Sequence, residues 1–503
     1  MSVPLSIRLH PNDNVVVARV DILPGTPVED SVSAAQLIPA GHKMLTRAVA
    51  KGEPLRKYNQ IIGFAIDEIA PGAHVHIHNC GMGDFERDYA YCVDVHRTAA
   101  IADGLTFDGY RRADGRAATR NYIGIVTTVN CSAATSRIIA SKVAPLLEAF
   151  PNIDGVVPLT HAGGCGMASS GLEMDVLRRT LGGYARHANM AAVVMLGLGC
   201  ETNQVSSLMK AEGLNEGPKL IPMAIQEHGG VAKTAARAAA FIQELLPEAN
   251  DVTRVPIPVG ELILALQCGG SDGYSGISAN PALGVAADLL VRHGGTAVLT
   301  ETPEIYGAEH LLTRRAVSRD VGEKIVARIK WWEEHCARTG GAMNNNPSAG
   351  NKAGGLTTIL EKSLGAVAKG GTTNLVDVYH YAEPITAKGF VYMDGPGYDP
   401  VSATGQIAGG ANVLCFTTGR GSVFGCKPTP SLKLATNSAI YRRMTDDMDI
   451  NCGTVVDGEE TIEACGHRIF ELIVKTASGH KTKSEELGIG DDEFEPWKIG
   501  ATM

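Results

Sequence analysis

The sequence predicts an α/β protein: a small β-rich module at the N-terminus, then two α/β domains built on mainly parallel sheets. Three observations lead there. Four apolar, β-branched runs end in a turn that carries a cysteine, at Ile123–Cys131, Val156–Cys165, Ala191–Cys200 and Glu261–Cys268. Short apolar runs followed by glycine read as buried strands of a parallel sheet, and stretches with helical spacing alternate with them, which is the βαβ pattern. Glycine is abundant, at 58 of 503 residues, while aromatic residues make up 5%; that suits strand-to-helix turns better than a helical bundle.

Residues 1–95 form the β-rich module, with strand candidates at Asp13–Val20, His42–Val49 and Ile61–Ile69 and turns at Pro24-Gly25, Lys51-Gly52 and Pro71-Gly72. Residues 96–118 are polar and read as a linker. The first α/β domain spans 119–252, with helices expected over 133–149, 171–187 and 231–246. The run Arg254-Val-Pro-Ile-Pro-Val-Gly260 marks a second boundary. The second α/β domain spans 253–503, with helices over 281–293 and 316–339 and strands at Thr296–Thr300, Asn374–Tyr379, Gly389–Met393 and Asn412–Thr418. Trp331 and Trp332 lie in the helical run and are expected to pack. The polar, acidic tail after Ser478 is expected to be partly ordered surface.

Composition narrows the function. A formal net charge of −9 argues against nucleic-acid binding, which needs a basic face. No run of about 18 uncharged apolar residues exists, so no membrane span is expected. No basic-then-apolar leader opens the chain, and a cytoplasmic location is expected. Eleven cysteines in that compartment are expected to stay reduced, and those placed after strands point to metal binding or chemistry more than to disulfides. No Gly-x-Ser-x-Gly elbow, His-Glu-x-x-His helix or dinucleotide Gly-x-Gly-x-x-Gly turn appears in a fitting context.

Ligands of parallel sheets collect at the carboxyl ends of the strands, so Cys131, Cys165, Cys200 and Cys268 are expected to face one crevice. His161 stands four residues before Cys165, and Glu201 directly follows Cys200. His74, His76 and His78 alternate with Val75 and Ile77; on a strand they would share one face at roughly 6.5 to 7 Å spacing, where two of them could hold Fe, Mn or Zn. The segment Cys268–Pro281 is dense in small polar groups, among them Ser271, Asp272, Ser275 and Asn280, and its amides could cradle an anion. The segment 345–355 is similar and includes Asn351 and the cation Lys352. Thr417-Thr-Gly-Arg-Gly421 places Thr418 and Arg420 after a strand, where a guanidinium would clamp a carboxylate. Glu301 and Glu304 also follow a strand and are candidate ligands or bases.

Taken together, Gly-Leu-Gly-Cys-Glu201, the Cys268–Pro281 segment, Asn346-Pro-Ser-Ala-Gly-Asn-Lys-Ala-Gly-Gly355 and Thr417–Gly421 resemble the altronate/galactarate dehydratase family, in the right order and over nearly the whole chain. His-Val-His-Ile-His-Asn79 resembles the altronate branch. Ala349 stands where the family usually shows Pro, and Ser422-Val423-Phe424 where it usually shows Thr-Pro-Tyr. The resemblance implies that the first module is a β-clip, or SAF, domain followed by two Rossmann-like α/β domains. It implies loss of water from a sugar acid to give a 2-keto-3-deoxy acid, aided by iron (Fe2+ or an iron–sulfur cluster), Mn2+ or another divalent metal. In that reading Cys131, Cys165, Cys200, Cys268, His74 and His76 are metal ligands. His161, Lys352, Glu201 and His76 supply acid–base chemistry. Arg420, Ser271, Asp272, Ser275, Asn280, Asn351 and Thr418 bind the substrate. The alternatives are a sulfolactate-type sulfo-lyase of the same family and a non-catalytic sugar-acid-binding protein. A small-molecule substrate and a symmetric homo-oligomer are the expected partners.

Overall fold

A computed structural model describes residues 4–29, 32–83 and 87–500. The N-terminal module is antiparallel. Ser6–Ile7, Val15–Ala18, Lys43–Leu45 and His74–Val75 form one four-stranded sheet, and Pro54–Lys57, Gln60–Ala65 and Cys80–Gly81 a second sheet of three. The buried side chains Val15, Leu45, Leu55 and Val75 belong to the same apolar core as Leu264, Ala279 and Ile325 of the C-terminal part. The module therefore shares a core with the region it touches and is not an appendage.

Four parallel strands follow, in the spatial order Gly155–Leu159, Tyr122–Thr127, Met190–Gly197, Leu220–Ala224. Every residue of Tyr122–Thr127 and Met190–Gly197 is buried, which explains why they read as unbroken apolar runs. The half-buried edge strand Leu220–Ala224 gives no such signal and was not anticipated. The C-terminal part holds a seven-stranded parallel sheet, ordered Leu375–Tyr379, Gly389–Met393, Thr296–Leu299, Ile263–Cys268, Val413–Thr418, Ser431–Ala435, Ile450–Asn451. The chain leaves Ile263–Cys268 toward one edge and Val413–Thr418 toward the other. Their carboxyl ends, where Cys268 pairs with Thr417, form the topological switch point at which ligands settle in such sheets. The molecule is thus an α/β protein with parallel sheets behind an N-terminal β module.

Three expectations need correction. The segment read as a linker is structured: Thr106–Arg111 pairs with Ala117–Ala118 and with Val255–Pro258, so the two apparent boundaries close on each other as one small sheet. The tail is anchored, because Phe494 and Trp497 are 4% and 5% exposed and Trp497 stacks on Trp332. The three-histidine strand ends at Val75. From His76 to Asn79 the chain turns, with the Asn79 side chain accepting from the His76 amide at 2.9 Å and donating to the His74 carbonyl at 2.9 Å.

Candidate functional site

That turn gathers the imidazoles differently from a strand. His42, one residue before the neighbouring strand, joins His74 and His76, with donor nitrogens from all three within 4.8 Å of one another. His42 Nδ1 and His74 Nε2 are 2.9 Å apart. His78 is exposed beside His74 and is not part of this set. Burial, then the adjacent imidazoles, pulls His74 down to about 3, and burial, then Lys43, pulls His76 to about 4. The rings are neutral at physiological pH. His76 Nδ1 is buried with no hydrogen-bond partner among the described residues.

His42 Nε2 approaches the carbonyl of Ala353 at 3.3 Å. This contact belongs to a tight seam between the N-terminal module and the C-terminal loops. At Gly273 a Cβ would lie 1.9 Å from the Gly41 carbonyl oxygen, so only glycine lets the two backbones meet. Tyr274 donates its hydroxyl to the carbonyls of Ala18 at 2.9 Å and Arg19 at 3.0 Å. Beneath the seam, Glu361 receives Lys43 at 2.9 Å and Lys57 at 3.1 Å, all three side chains at most 1% exposed. Burial pushes the Glu361 carboxyl up, but the two ammonium groups outweigh it and hold it at about 2.

Beside the seam opens a crevice of about 530 Å³, lined by Arg19 and Ala40 from the module and by Ala353, Gly354 and Arg420 from the C-terminal loops. Arg420 is exposed there. Lys352 is half-buried on the short helix Ala349–Ala353, and its ammonium has no partner among the described residues.

Most of the other expected substrate contacts hold the loops together. Asp272 is 4% exposed; it accepts from Ser275 at 3.0 Å, Thr436 at 2.9 Å and Asn437 at 3.0 Å. Asn280 accepts from Thr417 at 2.6 Å and donates to Gly365 at 2.9 Å. Asn351 caps its own helix through Ser348 and donates to the Ser271 carbonyl at 2.8 Å. Thr418 Oγ1 accepts from the Gly421 amide at 3.1 Å. These groups shape the crevice. The Ser271 side chain adjoins a cavity of about 10 Å³ that also touches Cys268, Lys362 and Glu361.

The four cysteines follow strands of two different sheets. Cys131, Cys165 and Cys200 are exposed on loops of the four-stranded sheet. Those loops interlock, with the Asn130 amide on the Gly163 carbonyl at 3.1 Å and the Asn203 amide on Gly164 at 3.0 Å. Among the described residues, none of the three thiols belongs to a set of three metal-donor atoms within 4.8 Å. Cys268 ends a strand of the other sheet and is buried with Glu301 and Glu304, at 3.8 and 3.5 Å. Two lysines already contact this cluster: Lys369 reaches Cys268 at 2.9 Å and Glu301 at 3.2 Å, and Lys362 reaches Glu304 at 2.6 Å. Burial, reinforced by Glu304, raises Glu301 to about 8, and burial raises Cys268 to about 12. Glu301 also sits at a positive φ of 74°, a conformation that costs a non-glycine residue free energy and recurs at functional sites. Glu301 and Glu304 were legible as acids after a strand; Lys362 and Lys369 were hidden in a helical run.

His161 and Glu201, expected as acid–base groups, have their polar atoms engaged. His161 Nδ1 accepts from the Gly163 amide at 3.0 Å and its Nε2 lies 3.0 Å from the Thr127 carbonyl. Burial lowers its pKa to about 4. Glu201 accepts from Thr128 at 2.7 Å and from the amides of Leu198 at 3.2 Å and Gly199 at 2.7 Å. Both brace turns. If the imidazole set alone holds the metal, replacing Cys165 and Cys200 together by Ser is expected to leave kcat/KM and bound metal within about twofold of wild type. Activity measurement and elemental analysis of the double variant check this.

Comparison with known proteins bears on the whole chain. Residues 4–83 match the family model described as the altronate/galactarate dehydratase SAF domain. Residues 109–250 match the D-galactarate dehydratase/altronate hydrolase second domain, and residues 259–502 the D-galactarate/altronate dehydratase C-terminal domain. An altronate dehydratase from Bacillus subtilis (strain 168) is 33% identical over 99% of each chain. A galactarate dehydratase (L-threo-forming) from Escherichia coli (strain K12) is 36% identical over 96% of this chain and 95% of its own. The beta subunit of a (2R)-sulfolactate sulfo-lyase from Chromohalobacter salexigens is 33% identical over 76% of this chain and 96% of its own. With a dehydratase relative matched end to end and all three domain models in order, the chain belongs to the altronate/galactarate dehydratase family, a family of hydro-lyases.

Proposed function

We propose that this protein removes water from a sugar acid in the crevice between the N-terminal module and the C-terminal loops, giving a 2-keto-3-deoxy acid. The observation that carries this is the crevice lined by Arg420 and the Ala353–Gly354 turn; Lys352 directly precedes that turn, and His42 meets its Ala353 carbonyl. The dehydratase relatives match the fused chain from end to end, whereas the sulfo-lyase subunit covers 76% of it, which favours the dehydratase reading.

The donors suit a divalent transition metal such as Fe2+ or Mn2+: three imidazoles kept neutral, one with an unpartnered buried nitrogen. His42, His74 and His76 would hold it. When bound, such an ion supplies Lewis acidity that stabilises negative charge developing on a substrate oxygen. The Cys268–Glu301–Glu304 cluster fits an ion less well, because the cations Lys362 and Lys369 already contact its donor atoms.

The chain's own groups divide the remaining work. Arg420 fixes the carboxylate by a two-pronged hydrogen bond, which orients the C2 proton. Lys352, as the free amine, is the base that takes that proton. The pair of electrons left at C2 forms the C2–C3 double bond as hydroxide departs from C3, taking the proton now on Lys352 and leaving as water. The enol so formed tautomerises to the ketone. The seam around Gly41, Gly273 and Tyr274 keeps the crevice walls in register, which is what positioning catalysis requires.

Incubation of metal-loaded protein with galactarate and with altronate, with the 2-keto product trapped as its semicarbazone, tests the reading. Product from at least one acid is expected. Arg420→Ala is expected to lower kcat/KM about 10- to 100-fold, the worth of a lost charge-assisted hydrogen bond. No product from either acid, or an Arg420→Ala variant with unchanged kinetics, would overturn it.

A further inference from the structure

The crevice holds more positive charge than one carboxylate engages. Besides Arg420 it is lined by Arg19 and by Arg442 and Arg443 at the end of the helix Ser438–Arg443. These guanidinium groups arrive from three separated stretches of chain. Arg442 and Arg443 are exposed, and their side chains have no hydrogen-bond or ion-pair partner among the described residues. Arg19 gives one nitrogen to the Val456 carbonyl, and its Nε is buried without a partner. Among the described residues, two carboxylates line the same space. Asp272 is consumed by its four loop contacts, and Asp457 takes the Ser438 hydroxyl.

Four guanidinium groups around one concavity repel each other unless an anion lies between them. One bidentate arginine satisfies one carboxylate. The set on the helix and the module is left for a second anionic group on the same small molecule. We infer that the substrate is a dicarboxylate, a hexarate in preference to a hexonate, with Arg442 and Arg443 as the specificity-determining residues that receive the carboxylate remote from the reacting end. This rests on the dehydratase reading above and adds the substrate class to it. Sequence identities of 33% and 36% to altronate and galactarate dehydratases do not separate the two acids; the charge of the crevice does.

The test compares galactarate with altronate on the full-length wild-type protein and on Arg442→Gln/Arg443→Gln. These are exposed side chains, so folding is not at risk, and a circular-dichroism melt confirms it. Wild type is expected to favour galactarate at least tenfold in kcat/KM, and the double variant to lose at least tenfold of that ratio, mainly through KM. Calorimetric titration of both acids gives the same comparison without turnover: galactarate binds more tightly to wild type, and the difference shrinks in the double variant. An absence of turnover with that binding pattern intact would sink the dehydratase reading and leave the arginine assignment standing. A wild-type preference for altronate, or a galactarate-to-altronate ratio unchanged in the double variant, would overturn the assignment.

Discussion

Glu361→Ala is expected to cost about 3–5 kcal/mol of stability, because it strands two buried ammonium groups with no counter-charge. Lys43 and Lys57 come from two different strands of the N-terminal module, and Glu361 from the helix Ile359–Ala368 of the C-terminal part. The same carboxylate also accepts from the Thr357 amide at 3.0 Å and hydroxyl at 2.8 Å. Removing it breaks the ionic fastening between module and C-terminal part, so the loss falls on the transition that separates them. Thermal melts followed by limited proteolysis of the module measure this; an unchanged melting temperature would contradict the fastening role. The pH dependence has a definite sign. The Glu361 carboxyl lies at about 2 when folded, below its ordinary 4.5. Its contribution is therefore fully present above pH 4.5 and is lost as pH falls from there toward 2.

His42→Ala is the second large effect. It should abolish retention of a divalent metal and lower kcat/KM by at least about a hundredfold, corresponding to the several kcal/mol a Lewis acid contributes to developing charge. The fold should survive. Outside the imidazole set, the one hydrogen-bond partner of the His42 ring among the described residues is the Ala353 carbonyl, and its neighbour Lys43 keeps its partner. The decisive readout is the pair: metal lost with an unchanged melting curve of the metal-free protein. A variant that binds metal and turns over normally would remove the imidazole set from the mechanism.

Much of the fold was legible because buried parallel strands are apolar on both faces. Tyr122–Thr127, Met190–Gly197, Ile263–Cys268 and Val413–Thr418 announce themselves in that way. What was not legible depends on partners far away in sequence. Thr106–Arg111 is polar and alternating, and becomes a strand only because Val255–Pro258 lies beside it. The histidine alternation predicted one face of a strand, but Asn79 bends the chain at His76, and His42, just before an adjacent strand, joins His74 and His76 while His78 does not. The cysteine pattern correctly marked strand ends without revealing that they end on two different sheets. Asp272, Asn280 and Asn351 look like ligand groups in a list of polar loop residues. Only their hydrogen bonds show that they are consumed in shaping the loops. Arg442 and Arg443 carried no motif; an unpaired basic doublet in a short helix acquires meaning only when the crevice is seen beside it.

The proposed dehydration depends on a metal held by His42, His74 and His76 beside the seam between the N-terminal module and the C-terminal loops. The most direct measurement purifies wild type, His74→Ala and Cys165→Ser/Cys200→Ser without air, reconstitutes each with Fe2+, and determines bound iron and galactarate dehydration on the same samples. The predicted result is iron and product for wild type and the cysteine variant, and neither for His74→Ala. Iron and product retained in His74→Ala but lost in the cysteine variant would contradict it.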